Sequence, residues 1–134
     1  MDTNLQSILR KTKTIAVVGF SSNPAKAGYT VPAYLQSQGY RIIPVNPHLD
    51  AALGEKAYAK LNAISEAIDL VLIFRRSEAV PPFVDQAIQL GAKTIWMQLG
   101  ILHDAAAQKA QNAGLQVVMD RCMKVEHQFW MASR

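Results

Sequence analysis

Cysteine is nearly absent from this chain. Cys122 is its single one, so no internal disulfide can form, and a reducing cytoplasm is the compartment this suggests. The three histidines, His48, His103 and His127, lie far apart and form no metal-ligand spacing with that cysteine, so no metal site is expected. No apolar run approaches the roughly 18 residues of a membrane span, and the first residues lack the charged-then-apolar pattern of a signal peptide. Runs of lysine and arginine are missing too. The 14 basic residues outnumber 10 acidic ones for a net charge of +4, but they are scattered, which argues against nucleic acid or a membrane as partner and for a small anionic ligand.

What is present is hydrophobic patterning. Half of the 134 residues are hydrophobic, enough for one domain, residues 1–134, with its own core and no repeat or linker. Thr14 to Val18 is a β-branched run that stops at Gly19 and gives way to Phe20, Ser21, Ser22, Asn23 and Pro24, as a buried strand opening into a ligand loop would. Before it, Leu5, Ile8 and Leu9 predict a short helix, with Asp2, Thr3 and Asn4 as cap candidates. After it, a helix starting between Gly28 and Val31 should run to Gly39, since Pro32 is tolerated only near a helix start.

Tyr40 to Val45 predicts the second strand, closed by Asn46-Pro47, and Ile64 to Ile68 a short helical turn. Asp69 to Phe74 is the strongest strand signal, with Arg75-Arg76 at its carboxyl end. A helix to Leu90 with Pro81-Pro82 in its first turn, a strand Thr94 to Gln98, a helix from a capping Asp104 to Ala113, and a strand Leu115 to Met119 complete the pattern. The alternation predicts an α/β fold: a single Rossmann-like doubly wound parallel sheet of five strands, in the order 3-2-1-4-5, with helices on both faces.

In such a sheet the ligand lies at the carboxyl ends of the strands. The loop after Gly19 departs from the dinucleotide fingerprint, having no second or third glycine at the required spacing. Small residues Ser21, Ser22 and Asn23 still allow close approach of a phosphate to backbone N–H groups, with Lys26 supplying charge; the alternative is a strand-to-helix turn that binds nothing. Where an NAD enzyme has an acidic residue after the second strand, this chain has Asn46-Pro47-His48. That absence, with Arg75 and Arg76 at the next strand end, suits a ligand richer in phosphate than NAD.

The segments Thr14 to Ser21, Gly39 to Pro47, Phe74 to Pro81, Gly91 to Lys93, Trp96 to Gly100 and Val117 to Cys122 carry a resemblance. The chain resembles small bacterial and archaeal CoA-binding proteins built like the N-terminal CoA-binding domain of the succinyl-CoA synthetase alpha subunit. The resemblance implies coenzyme A or an acyl-CoA as the ligand, lying across the carboxyl edge of the sheet. Its candidate contacts are Gly19, Phe20, Ser21, Ser22, Asn23, Pro24, Lys26, Asn46, Pro47, Phe74, Arg75, Arg76, Met97 and Gln98. Family members commonly have proline where this chain has Met123. No histidine here matches the phosphorylated histidine of the synthetase, so that reaction does not transfer, and no base, nucleophile and orienting group assemble into a catalytic set. Cys122 reads as a small buried residue rather than a nucleophile. The function implied is a stand-alone binding or regulatory module, with a protein partner or self-association left open; the alternative is an enzyme on the same scaffold, either a nicotinamide-dependent reductase or a thioester-handling acyltransferase.

Overall fold

The computed structural model describes residues 3–134, so Asp2 lies outside the described residues. Helix α1 (Thr3–Lys11) leads into strand β1 (Thr14–Val18), followed by α2 (Ala27–Ser37) and β2 (Arg41–Val45). A two-stranded hairpin, β3 (Ala51–Ala52) and β4 (Glu55–Lys56), turns through Leu53 and Gly54, both with positive φ as a tight hairpin turn requires. Then come β5 (Leu70–Ile73), α3 (Val80–Leu90), β6 (Thr94–Met97), α4 (Asp104–Asn112), β7 (Gln116–Val118) and α5 (Met123–Ala132). Among the described residues the main sheet has five parallel strands, ordered β2-β1-β5-β6-β7.

Alternation along the strands sorts the core into two layers. Ile15, Val17, Ile42, Leu70, Leu72 and Trp96 pack with residues of α1, α2 and α5 on one face. Ala16, Val18, Ile43, Val71, Ile73 and Ile95 pack with residues of α3 and α4 on the other. Helices therefore cover both faces, as expected for a parallel sheet whose strands are apolar throughout.

The strand order is 2-1-3-4-5 rather than the expected 3-2-1-4-5, because the third strand of the main sheet, β5, pairs with β1 and not with β2. All four residues of β5 are 0% exposed, and the expected order would have put this wholly apolar strand at the sheet's edge. The edge falls instead to β2, where Pro44 has no N–H to offer an outer neighbour. At this edge the Tyr58 N–H donates to the Pro44 carbonyl at 2.9 Å and the Tyr58 carbonyl accepts from Asn46 N–H at 2.9 Å. From Tyr58 the chain crosses one face of the sheet, anchored by Leu61, Ile64 and Ile68 in the core, to reach the far side of β1.

Local boundaries differ in instructive ways. Residues 64–68 are not helical; one 3-10 turn, Leu61–Ala63, precedes them. Helix α2 begins at Ala27, which makes Pro32 its sixth residue. Tyr40 falls just outside β2 and donates its hydroxyl to the Leu9 carbonyl at 2.6 Å. The cap of α4 is His103, whose Nδ1 accepts from Ala106 N–H at 3.1 Å; Asp104 is the first helical residue. Gly91, in the left-handed region at φ 75°, ends α3 as expected. The tail that the sequence pattern left unassigned is α5, whose His127 is buried among Tyr34, Tyr40 and Trp130, each ring 5.4–5.6 Å away and edge-on.

Candidate functional site

At the carboxyl ends of β1 and β5 the chain leaves the sheet in opposite directions, since β1 leads through α2 to β2 on one side and β5 leads through α3 to β6 on the other. Two strand ends crowd together there. Gly19 has φ +81°, and a Cβ on it would stand 3.0 Å from the Phe74 carbonyl oxygen and 3.2 Å from the Arg75 Cδ. Both counts require glycine.

The loop that follows holds its own shape. Ser21 Oγ accepts from Asn23 N–H at 3.1 Å, Asn23 Oδ1 accepts from Ala25 N–H at 2.9 Å, and the Asn23 carbonyl accepts from Lys26 N–H at 3.0 Å. Helix α2 then starts with Lys26 as its N-cap, and among the described residues no side-chain hydrogen bond caps it. Such an end carries partial positive charge and donors suited to an anion. From the neighbouring strand, Asn46 donates its amide to the Phe20 carbonyl at 2.7 Å and accepts from His48 N–H at 2.7 Å, tying the two loops together.

These elements enclose a cleft of about 920 Å³, within the usual size range of small-molecule sites. Of the sequence candidates, Gly19, Phe20, Ser21, Ser22, Lys26, Asn46, Pro47, Phe74 and Arg75 line it. Asn23 and Pro24 are exposed and do not. Of the two arginines, Arg75 reaches the cleft wall with its guanidinium 5.6 Å over the Phe83 ring, while Arg76 is exposed and pairs with Glu78 at 3.4 Å.

Met97 and Gln98 are placed elsewhere. Met97 is in the core at 0% exposure, and the buried Gln98 accepts the Met123 N–H at 3.2 Å, so its amide serves the start of α5. The cleft gathers at β1, β2 and β5, and the end of β6 is covered by the chain entering α5. Cys122, read as buried, is half-buried at the N-cap position of α5.

Several lining residues escaped the sequence reading, among them Gly28, Lys60, Leu61, Phe83 and Gln86. Gly28 had a signal. A Cβ there would meet the Gly19 carbonyl at 3.1 Å, the close helix-to-strand approach that the missing third fingerprint glycine usually provides, but nine residues after Gly19. Phe83 and Gln86 share a face of α3 at i, i+3 spacing and reach the cleft only because α3 packs behind β5. Lys26, Lys60 and Arg75 bring three cations to the cleft, and among the described residues that line it there is no carboxylate. Such a site favours a polyanion with an apolar portion that can rest on Leu61, Phe74 and Phe83.

A family model described as the CoA binding domain matches residues 13–128. The chain is 42% identical over 123 residues to the uncharacterized protein YneT of Bacillus subtilis, covering 92% of this chain and 91% of that one. It is 30% identical over 81 residues to an ADP-forming acetate–CoA ligase of Methanocaldococcus jannaschii, where the match spans 60% of this chain but only 12% of the ligase. Among solved structures, cell-free ID.343 from Thermus thermophilus superposes with a TM-score of 0.91 at 36% identity, covering 97% of this chain and 99% of that one.

Proposed function

The chain belongs to the CoA binding domain family, and from that premise we propose that it binds coenzyme A or an acyl-CoA in the cleft between the ends of β1, β2 and β5. The observation that carries the reading is the uncapped N-terminus of α2 opening into a cleft with three cations and no carboxylate. Phosphate groups are matched by the N–H groups at the start of α2, by Ser21 and Ser22, and by Lys26 and Arg75. A nicotinamide cofactor is disfavoured because Asn46 stands where a carboxylate would hold the ribose hydroxyls, and its amide is already committed to Phe20 and His48.

On this reading the protein is a cytoplasmic binding or regulatory module, and any turnover of the thioester depends on groups brought by a partner. Isothermal titration with CoA, NAD and NADP tests it. CoA should bind most tightly, and NAD binding as tight or tighter would overturn the proposal.

A further inference from the structure

Gln86 lines the cleft, yet its Oε1 is withdrawn from solvent and accepts no hydrogen bond among the described residues. Buried acceptors in native proteins nearly always have a donor, so an exception in the wall of a binding cleft points to a donor that arrives with the ligand. The surroundings narrow the choice of ligand group. Phe83, one turn earlier on the same face of α3, and Phe74 and Leu61 are the apolar lining beside it, and the Arg75 guanidinium lies over the Phe83 ring. Of the phosphate-binding features only Arg75 is at these rings; the others are on the loop after β1 and at the start of α2.

A group that suits both an aromatic wall and an acceptor needing a donor is a planar base with an exocyclic amine. A glutamine amide complements adenine in particular, because its oxygen accepts from the amine while its N–H donates to the adjacent ring nitrogen. On that edge, the exocyclic group with N7, hypoxanthine has an oxygen where adenine has the amine and so offers two acceptors, and whichever way the amide turns its oxygen faces one of them. The amides of a pantetheine arm also donate, but a flexible arm gains nothing special from two aromatic rings. We propose that Gln86 reads the base of the ligand, its Oε1 turning to accept from the adenine amine. The inference rests on the CoA reading above and adds the residue that recognises the base.

The test is calorimetric titration of the wild type and Gln86→Leu with CoA and with its hypoxanthine analogue, alongside thermal melts of both proteins. Wild type should prefer CoA by about tenfold or more, the scale of one well-placed amide–base pair. Gln86→Leu should bring that ratio close to one while still binding CoA more weakly. Two results would overturn the inference while leaving the CoA reading intact: equal binding of both ligands by the wild type, or a Gln86→Leu variant that weakens both ligands alike and keeps the preference. Since the wild-type comparison needs no variant, a Gln86→Leu protein that melts early does not remove the test. A wild type that binds neither ligand overturns the CoA reading itself, and this inference with it.

Discussion

The Ser21 N–H donates to the Gly28 carbonyl at 3.1 Å, and that carbonyl is available because Pro32, four residues further along α2, has no N–H to offer it. A proline in the sixth position of a helix ordinarily breaks one intrahelical bond. Here the freed acceptor holds the start of the loop after β1 against the first turn of α2, so the helix defect and the loop geometry are one feature.

The same contact makes Gly28→Ala a sharp probe. The added methyl would stand 3.1 Å from the Gly19 carbonyl and 3.4 Å from Ser21 Cβ, so the strand end and the loop must give way by a few tenths of an ångström. Urea denaturation should show a loss of about 1–3 kcal/mol, the usual cost of overpacking, and CoA affinity should fall as the loop shifts. Unchanged stability would mean the approach is looser than it looks.

The two arginines should separate cleanly in binding. Arg75→Ala removes a cation from the cleft and should weaken CoA by about 1.5–3 kcal/mol, the scale of a charge-assisted hydrogen bond. Arg76→Ala removes an exposed partner of Glu78 and should change nothing measurable. Titrating each variant with CoA and dephospho-CoA at two salt concentrations shows in addition whether Arg75 favours the ribose phosphate; if the preference survives Arg75→Ala, that phosphate is held elsewhere.

Gln98→Leu should behave in the opposite way. Its amide oxygen takes the buried Met123 N–H, so the substitution leaves that donor unpaired and should cost about 1–3 kcal/mol of stability. CoA affinity should stay at the wild-type value, because the side chain serves α5 and lies outside the cleft. A selective loss of CoA binding with stability intact would return Gln98 to the site.

Stability should depend on pH through His127. Burial, and secondarily Arg134, lowers its pKa below the ordinary value of 6.5, and with Nδ1 unprotonated the Tyr34 hydroxyl donates to it at 2.8 Å. The unfolded chain therefore binds a proton at this residue more readily than the folded one does. Its contribution is present above pH 6.5 and is lost as pH falls from there through the folded value, so stability rises with pH across that window. Denaturant midpoints of wild type and His127→Gln between pH 5 and 8 check this: the part of the slope due to His127 should vanish in the variant.

Much of the architecture was legible in the residues because it depends on local physics. The β-branched run ending at Gly19, the apolar run Leu70–Ile73 and the left-handed Gly91 closing α3 declare themselves through periodicity and backbone preference, which act within a few residues of chain. The loop after β1, Asn46-Pro47 and Phe74-Arg75 were found in the same way, since strand ends are local features and a parallel sheet places them along one edge.

Which strand ends become neighbours is a different matter. Adjacency in the sheet follows from how whole strands compete for burial. The wholly apolar β5 takes the middle and β2, with Pro44, takes the edge; no window of sequence contains that comparison. The same competition drew Gln98 to the start of α5 and brought Phe83 and Gln86 of α3 to the cleft wall. The sequence by itself determined the elements and the loop after β1 that lines the cleft. Only the tertiary structure decided the strand order and which side chains complete the site, because these depend on contacts between segments far apart in the chain, whose free energy appears only when the layers close.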